Sequence, residues 1–290
     1  MPGPTLGVVF RPQLPPERLR DVVASAEEYG LDELWLWEDC FLEGGISTAA
    51  MALAWSERVR VGIGLLPVPL RNPALAAMEL ATVSRTFPGR LRFGLGPGVQ
   101  PWMRQVGERV DSPLTLIRES LDAVRSLLAG ETVSADGRYI QLDAVALDWP
   151  PAEAPPVLVG ATGPKMLALS GAAGDGTILV SHTSPDQVRW ARERIERGRT
   201  EAGRTDPHPV VMYALAATGG DAMARAAKEA PIPIEEGNNM LSGDATAYAE
   251  GIMRWHDAGV DTVVLQPLAD ETDIAGFIRF ATQDVAPLLR

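Results

Sequence analysis

Residues 59–95 read VRVGIGLLPVPLRNPALAAMELATVSRTFPGRLRFGL, and they decide the fold. An apolar run, Val59 to Leu66, leaves through a proline-bent exit to Asn72-Pro73, a capping side chain followed by proline at a first helical position, where its missing N–H costs nothing. A helical stretch and the turn Phe87-Pro88-Gly89 then lead to a second short run, Arg90 to Leu95. This is one strand–helix–strand unit. Working outward, six more apolar runs share its rhythm: Thr5 to Phe10, Glu33 to Trp37, Pro156 to Val159, Thr177 to Ser181, Pro209 to Ala214 and Thr262 to Gln266. Eight alternations of strand and helix predict an α/β chain closing into a (β/α)₈ TIM barrel, whose active site lies where the strands end. Residues 1–290 are expected to form that one domain, since a barrel of about 250 residues needs no second one.

Other helix starts fall where the barrel needs them. Leu19, Val22, Val23, Ala26 and Tyr29 recur at helical spacing between Pro16 and a Gly30 stop, and Ser112-Pro113 and Ser184-Pro185 repeat the capping pattern. Two segments break the alternation. Glu131 to Trp149, with Asp136-Gly137 between Thr132-Val133 and Tyr139-Ile140, reads as a β-hairpin with a tight turn, an excursion between helix 4 and strand 5. Ala230 to Asp244 (APIPIEEGNNMLSGD) reads as a long loop, either a lid or a surface insertion.

Thirty-eight acidic against 26 basic side chains give a formal charge of −12, which repels nucleic acid and anionic lipid at long range. The apolar runs are too short to span a bilayer, and the opening MPGPTLGVVF lacks a basic leader region. A single cysteine, Cys40, fits the reducing cytoplasm, and neither nucleic acid nor membrane is an expected partner. Three histidines, His182, His208 and His256, without H-x-H or H-E-x-x-H spacing, argue against a zinc hydrolase, and no metal site is expected.

The strand ends carry the chemistry. Strand three leaves through Gly62-Ile63-Gly64-Leu65 and strand four through Gly94-Leu95-Gly96-Pro97-Gly98-Val99, stretches that are either ordinary turns or places where bare backbone approaches a flat ring or a phosphate. Strand five runs into Gly160-Ala161-Thr162-Gly163-Pro164-Lys165 and an apolar helix, which is either an anion site where backbone N–H groups, a hydroxyl and an ammonium converge or a capped helix with a solvated lysine. Glu38 and Asp39 stand side by side after strand two, either as a pair in which burial or mutual repulsion raises one pKa for proton transfer or as satisfied structural carboxylates. Ser181-His182-Thr183 offers a second titratable group after strand six. With no nucleophilic triad in view, these features point to a barrel holding a cofactor that does the chemistry itself.

GLDELWLWEDCF at strand two, SERVRVGIGLLPVPLRNPALAAMELATVSRTFPGRLRFGLGPGV across strands three and four, and PPVLVGATGPKMLALSGAAGDGTILVS across strands five and six together resemble the bacterial luciferase-like superfamily. The combination R-N-P, F-P-G-R and G-L-G-x-G is the most specific part, and the chain is most similar to the branch using the deazaflavin coenzyme F420. The resemblance implies a non-proline cis peptide at Gly64-Leu65 behind the central ring, and phosphate contacts at Thr162, Gly163 and Pro164 with Ala161 and Lys165 adjacent. It also implies ring and tail contacts at Gly96, Gly98 and Val99, a cofactor-side Ser181, and Glu38 and Asp39 facing hydride transfer. The sugar-phosphate dehydrogenases of that branch use a histidine and a glutamate where this chain has Asp39 and Val99, which argues against glucose 6-phosphate. Arg71, Arg104 and Lys165 are candidates for a basic rim. The expected activity is F420-dependent hydride transfer to a small-molecule substrate, in a homodimer. FMN with oxygen chemistry, or deazaflavin binding without turnover, are the alternatives.

Overall fold

Eight parallel strands close into a ring in the computed structural model, which describes residues 3–230, 233–235 and 238–289. In chain order the strands are β1 (Thr5–Phe10), β2 (Glu33–Leu36), β3 (Arg60–Pro67), β4 (Leu91–Gly96), β5 (Val133–Asp136), β6 (Gln141–Val145), β7 (Val157–Gly160), β8 (Gly176–Leu179), β9 (Val210–Ala216), β10 (Met240–Leu241) and β11 (Thr262–Pro267). The ring runs β1-β2-β3-β4-β7-β8-β9-β11 and closes by pairing β11 with β1. The helices are α1 (Leu19–Tyr29), α2 (Gly45–Ala54), α3 (Pro73–Thr86), α4 (Gln100–Gln105), α5 (Pro113–Leu128), α6 (Pro164–Ala173), α7 (Pro185–Glu201), α8 (Ala222–Glu229), α9 (Ala245–Asp257) and α10 (Ile274–Arg279). None among the described residues is long and apolar enough to cross a membrane.

The expected caps are present. Asn72 accepts from the Ala74 N–H at 2.9 Å, Ser112 from Thr115 at 3.4 Å, and Ser184 with Gln187 forms a reciprocal box at the start of α7. The hairpin after α5 also exists, as the antiparallel pair β5–β6, and its turn is tight: the Gly137 N–H donates to the Ile140 carbonyl at 2.9 Å, with Arg138 and Tyr139 at the tip. The Glu119 carboxylate accepts the N–H groups of Arg138, Tyr139 and Ile140 at 2.9, 2.8 and 3.0 Å. A side chain from α5 replaces the strand partner those donors otherwise need. The stretch from Ala230 to Asp244 is not loop throughout, since Met240 and Leu241 pair with Leu215 and Ala216 of β9. Residues 231–232 and 236–237 of that stretch lie outside the described residues.

Alternation along the strands sorts side chains between two cores. Val8, Leu34, Ile63, Phe93, Val159, Met212 and Leu265 face the helices in the larger one. Val9, Trp35, Leu158, Ile178, Val211, Tyr213 and Val264 face inward and fill the barrel, with the half-buried Trp37 packed above them. Trp35 lies against β1 and β3 where glycine makes room: a Cβ on Gly62 would stand 2.3 Å from its ring, and one on Gly7 2.9 Å. Burying roughly 200 Å² of indole is worth about 5 kcal/mol, so this one side chain anchors the interior. Beneath it Glu33, with a fully buried side chain, accepts from the Trp35 indole at 2.9 Å and from Arg92 at 2.5 Å, and pairs with Arg60 at 3.3 Å. This layer closes the N-terminal end of the barrel.

Candidate active site

The same alternation fixes what reaches the open, C-terminal end. Continuing the inward positions upward gives Arg11 after β1, Trp37 and Asp39 after β2, Tyr213 on β9 and Gln266 on β11. On three consecutive strands, β3, β4 and β7, it gives only glycine: Gly64, Gly96 and Gly160. That shelf is occupied by one side chain. A Cβ on Gly96 would stand 2.5 Å, and one on Gly160 2.2 Å, from Cδ2 of Leu65, so Leu65 lies down across both bare backbones. The Gly64–Leu65 peptide is cis, the β3–β4 register shifts between Ile63 and Leu66, and both residues remain half-buried at the mouth.

Tyr213 reaches this bulge from the far side of the barrel. Its hydroxyl donates to the Gly64 carbonyl at 3.1 Å, and a Cβ on Gly64 would collide with that oxygen at 2.0 Å. Complete burial pushes the phenol pKa well above its usual range. The Trp37 ring meets Tyr213 edge-on at 5.5 Å, with the Arg11 guanidinium 5.6 Å over its other side.

At the β7 exit, Ala161 is buried and its N–H donates to the Ile178 carbonyl at 3.1 Å. Thr162, Pro164 and Lys165 are exposed, Gly163 is the N-cap of α6, and no side chain caps that helix. The first bonded amide of the helix is Leu167, to Gly163 O at 2.9 Å, which leaves the N–H groups of Lys165 and Met166 pointing out of the helix start. In the β4–α4 loop, Gly98 has φ +68, a left-handed conformation that favours glycine, and Gln100 donates to the Pro97 and Gly98 carbonyls at 3.1 and 3.3 Å. Val99 caps α4 and is 45% exposed, and Ser181 sits half-buried after β8.

The two adjacent carboxylates part company. Glu38 points away from the mouth: Arg71 binds both of its oxygens, and the Gly45 N–H at the start of α2 donates to Oε2 at 2.7 Å. Arg71 also binds Glu79 at 3.3 Å, so neither Glu38 nor Arg71 is free for a ligand. Among the described residues the Asp39 carboxyl accepts no hydrogen bond; burial raises its pKa, and Arg11 partly offsets the rise. His182 has φ +68 and a buried Nδ1 without a partner, and burial lowers its pKa against a smaller, opposite effect of Glu229. Glu229 in turn binds Arg11 and accepts from the Ala269 N–H at 2.7 Å. Arg11, Tyr213 and Gln266 lie outside the quoted motifs, and inward phase, counted two residues at a time from Val9, Val211 and Val264, is the signal that finds them. A cavity of about 780 Å³ lies at the opposite end of the barrel between α5, α6 and the α7–β9 loop, but Arg125 and Arg204 there are already paired with Asp175 and Asp206.

The mouth thus joins the bare backbone of Gly64, Gly96 and Gly160 to an uncapped helix start, at the end of the barrel where the strands finish. Residues 5–258 match the family model for luciferase-like monooxygenases, and the chain belongs to that family. It is 32% identical to a 5,10-methylenetetrahydromethanopterin reductase of Methanolobus tindarius, over 78% of this chain and 68% of that one. It is 30% identical to an F420-dependent glucose-6-phosphate dehydrogenase of Kineococcus radiotolerans, over 96% and 94%. The solved coenzyme F420-dependent tetrahydromethanopterin reductase of Methanopyrus kandleri superposes with a TM-score of 0.87 over 99% of this chain and all of that one, at 20% identity.

Proposed function

We propose that this protein is a coenzyme F420-dependent oxidoreductase acting on a small organic molecule, and that it works as a homodimer. The observation that carries the reading is the shelf at Gly64, Gly96 and Gly160, over which Leu65 presents a flat surface beside the start of α6. Relatives with F420 in their names at about 30% identity support the choice of cofactor. The residues fit such a group: Gly64, Leu65 and Gly96 would back the rings, while Thr162, Gly163 and the Lys165 N–H and ammonium would hold the phosphate. When bound, the deazaflavin supplies a hydride at C5, so that a C=C, C=N or C=O acceptor gains two electrons and one hydrogen there and takes a proton at its other atom.

The chain's own residues do the rest. Tyr213 holds the Gly64 carbonyl and so fixes the bulge from below. Asp39, its carboxyl unbonded among the described residues and its pKa raised, is the group placed to give or take the proton. Glu38 sits behind it as a structural ion pair.

Equilibrium titration of the protein with F420 and with FMN tests the reading. A preference for F420 of about a thousandfold, some 4 kcal/mol, is expected. Preference for FMN, with oxygen consumed after reduction, overturns it in favour of a monooxygenase. Asp39→Asn should keep F420 affinity and lose most turnover, about a hundredfold. Tight F420 binding with no acceptor reduced by either form would instead mark a carrier.

A further inference from the structure

The mouth has two electrical halves. Over β7 lie the outward N–H groups of α6 and the exposed Lys165. Over β1, β2 and β9 to β11 lie the carboxyls of Asp39 and Glu229, the His182 ring and the Gln266 amide. The cation in that second half, Arg11, has its charge balanced by Glu229; its Nε donates to Gln13 at 3.1 Å and its Nη1 to the Pro267 carbonyl at 3.0 Å, and its guanidinium lies over Trp37. Arg71 is engaged by Glu38 and Glu79, and Arg225 by Asp270. Lys228, the neighbour of Glu229, is exposed on α8 within electrostatic reach of Asp270. Leu215 of β9 packs with Met240, Ala222 and Leu268 in a small apolar cluster of its own.

We propose that this second half seats the substrate and selects an uncharged or cationic ring, with His182 as a specificity-determining contact. The proposal rests on the cofactor reading above, because the basic half is then taken by the cofactor phosphate. Arg11 and Glu229 cancel as an ion pair, so an anionic substrate would meet the Asp39 carboxylate as the uncompensated charge among the described residues of that half, in a site where screening by water is weakened. A cationic or neutral molecule meets no such penalty. The Asp39 carboxyl, unbonded among the described residues, and the half-buried His182 ring supply its hydrogen bonds beside Trp37. A buried donor or acceptor with no partner is costly unless something binds it, and His182 carries such an atom on a left-handed backbone, φ +68.

Three matched probes test this: a cyclohexenone carrying a hydroxymethyl, a trimethylammoniomethyl or a carboxylate group at the same ring carbon. Binding of each is measured by calorimetry to the full chain saturated with oxidised F420, where no turnover occurs, and to the full chain without added cofactor. The neutral and cationic probes should bind at least about tenfold tighter than the carboxylate. Asp39→Asn should shrink the gap between cation and carboxylate severalfold. His182→Phe, which keeps the ring and removes both nitrogens, should weaken the neutral probe about fivefold while leaving F420 affinity unchanged. A carboxylate probe that binds as well as the others, or no binding of any probe at millimolar concentration, overturns the proposal. If F420 itself fails to bind while the order of the probes persists in the cofactor-free chain, the cofactor reading falls and the charge selection stands.

Discussion

Glu38 and Asp39 show how one step along a strand separates structure from chemistry. Trp35 points into the barrel, so Trp37 and Asp39 do too, and Glu38 is turned toward α2 and Arg71. Sequence alone shows two neighbouring acids at a strand end; the phase that tells them apart comes from knowing that Trp35 faces the interior. Glu38→Ala leaves Arg71 without its main partner in a half-buried site and should cost about 3 kcal/mol of stability, read from urea unfolding. Asp39→Asn, with no side-chain bond to lose among the described residues, should stay within about 1 kcal/mol of the parent. Gly160→Ala belongs with these. Its methyl would fall 2.2 Å from Leu65 and lift that side chain off the shelf, so F420 affinity should drop about tenfold with the melting temperature nearly unchanged.

Most elements were legible because their signals are local. Asn72, Ser112 and Ser184 announce their helices, and each strand lies within two residues of the apolar run that predicts it. The tight turn of the hairpin was legible, but not the carboxylate that binds its amides, because Glu119 is a residue of α5 about twenty positions away. Nor was β10, whose two residues form a strand only because the β9 edge is there to pair with. At the mouth, Gly64 and Gly96 stand out as glycines in motifs, whereas Tyr213 and Arg11 act across the barrel from them and leave no local trace. Glu119→Ala should free the amides of Arg138, Tyr139 and Ile140. Their hydrogen exchange should quicken about tenfold or more while amides of the barrel strands keep their protection.

Acid sensitivity is a property of the whole molecule, and His208 contributes to it. The ring is buried at the barrel's N-terminal end, bonded to Thr177 Oγ1 at 2.9 Å, and Thr177 is bonded to Ser170 at 2.6 Å. Burial first, then the charges of Arg199, Arg192 and Arg204, lower its pKa from 6.5 to about 4. The unfolded chain therefore binds the proton first. Stability is whole above about pH 6.5 and drains away as pH falls toward 4, by about 3 kcal/mol from this group. His208→Asn should flatten that slope between pH 7 and 5 in urea titrations. The layer of Glu33, Arg60 and Arg92 beneath Trp35 has a kinetic consequence. A cylinder sealed at its base has a single doorway, and two visitors that share it must queue. Whichever molecule rests against the glycine shelf enters first and departs last, so initial-rate patterns should be those of compulsory-order addition, with excess substrate trapping the earlier arrival inside.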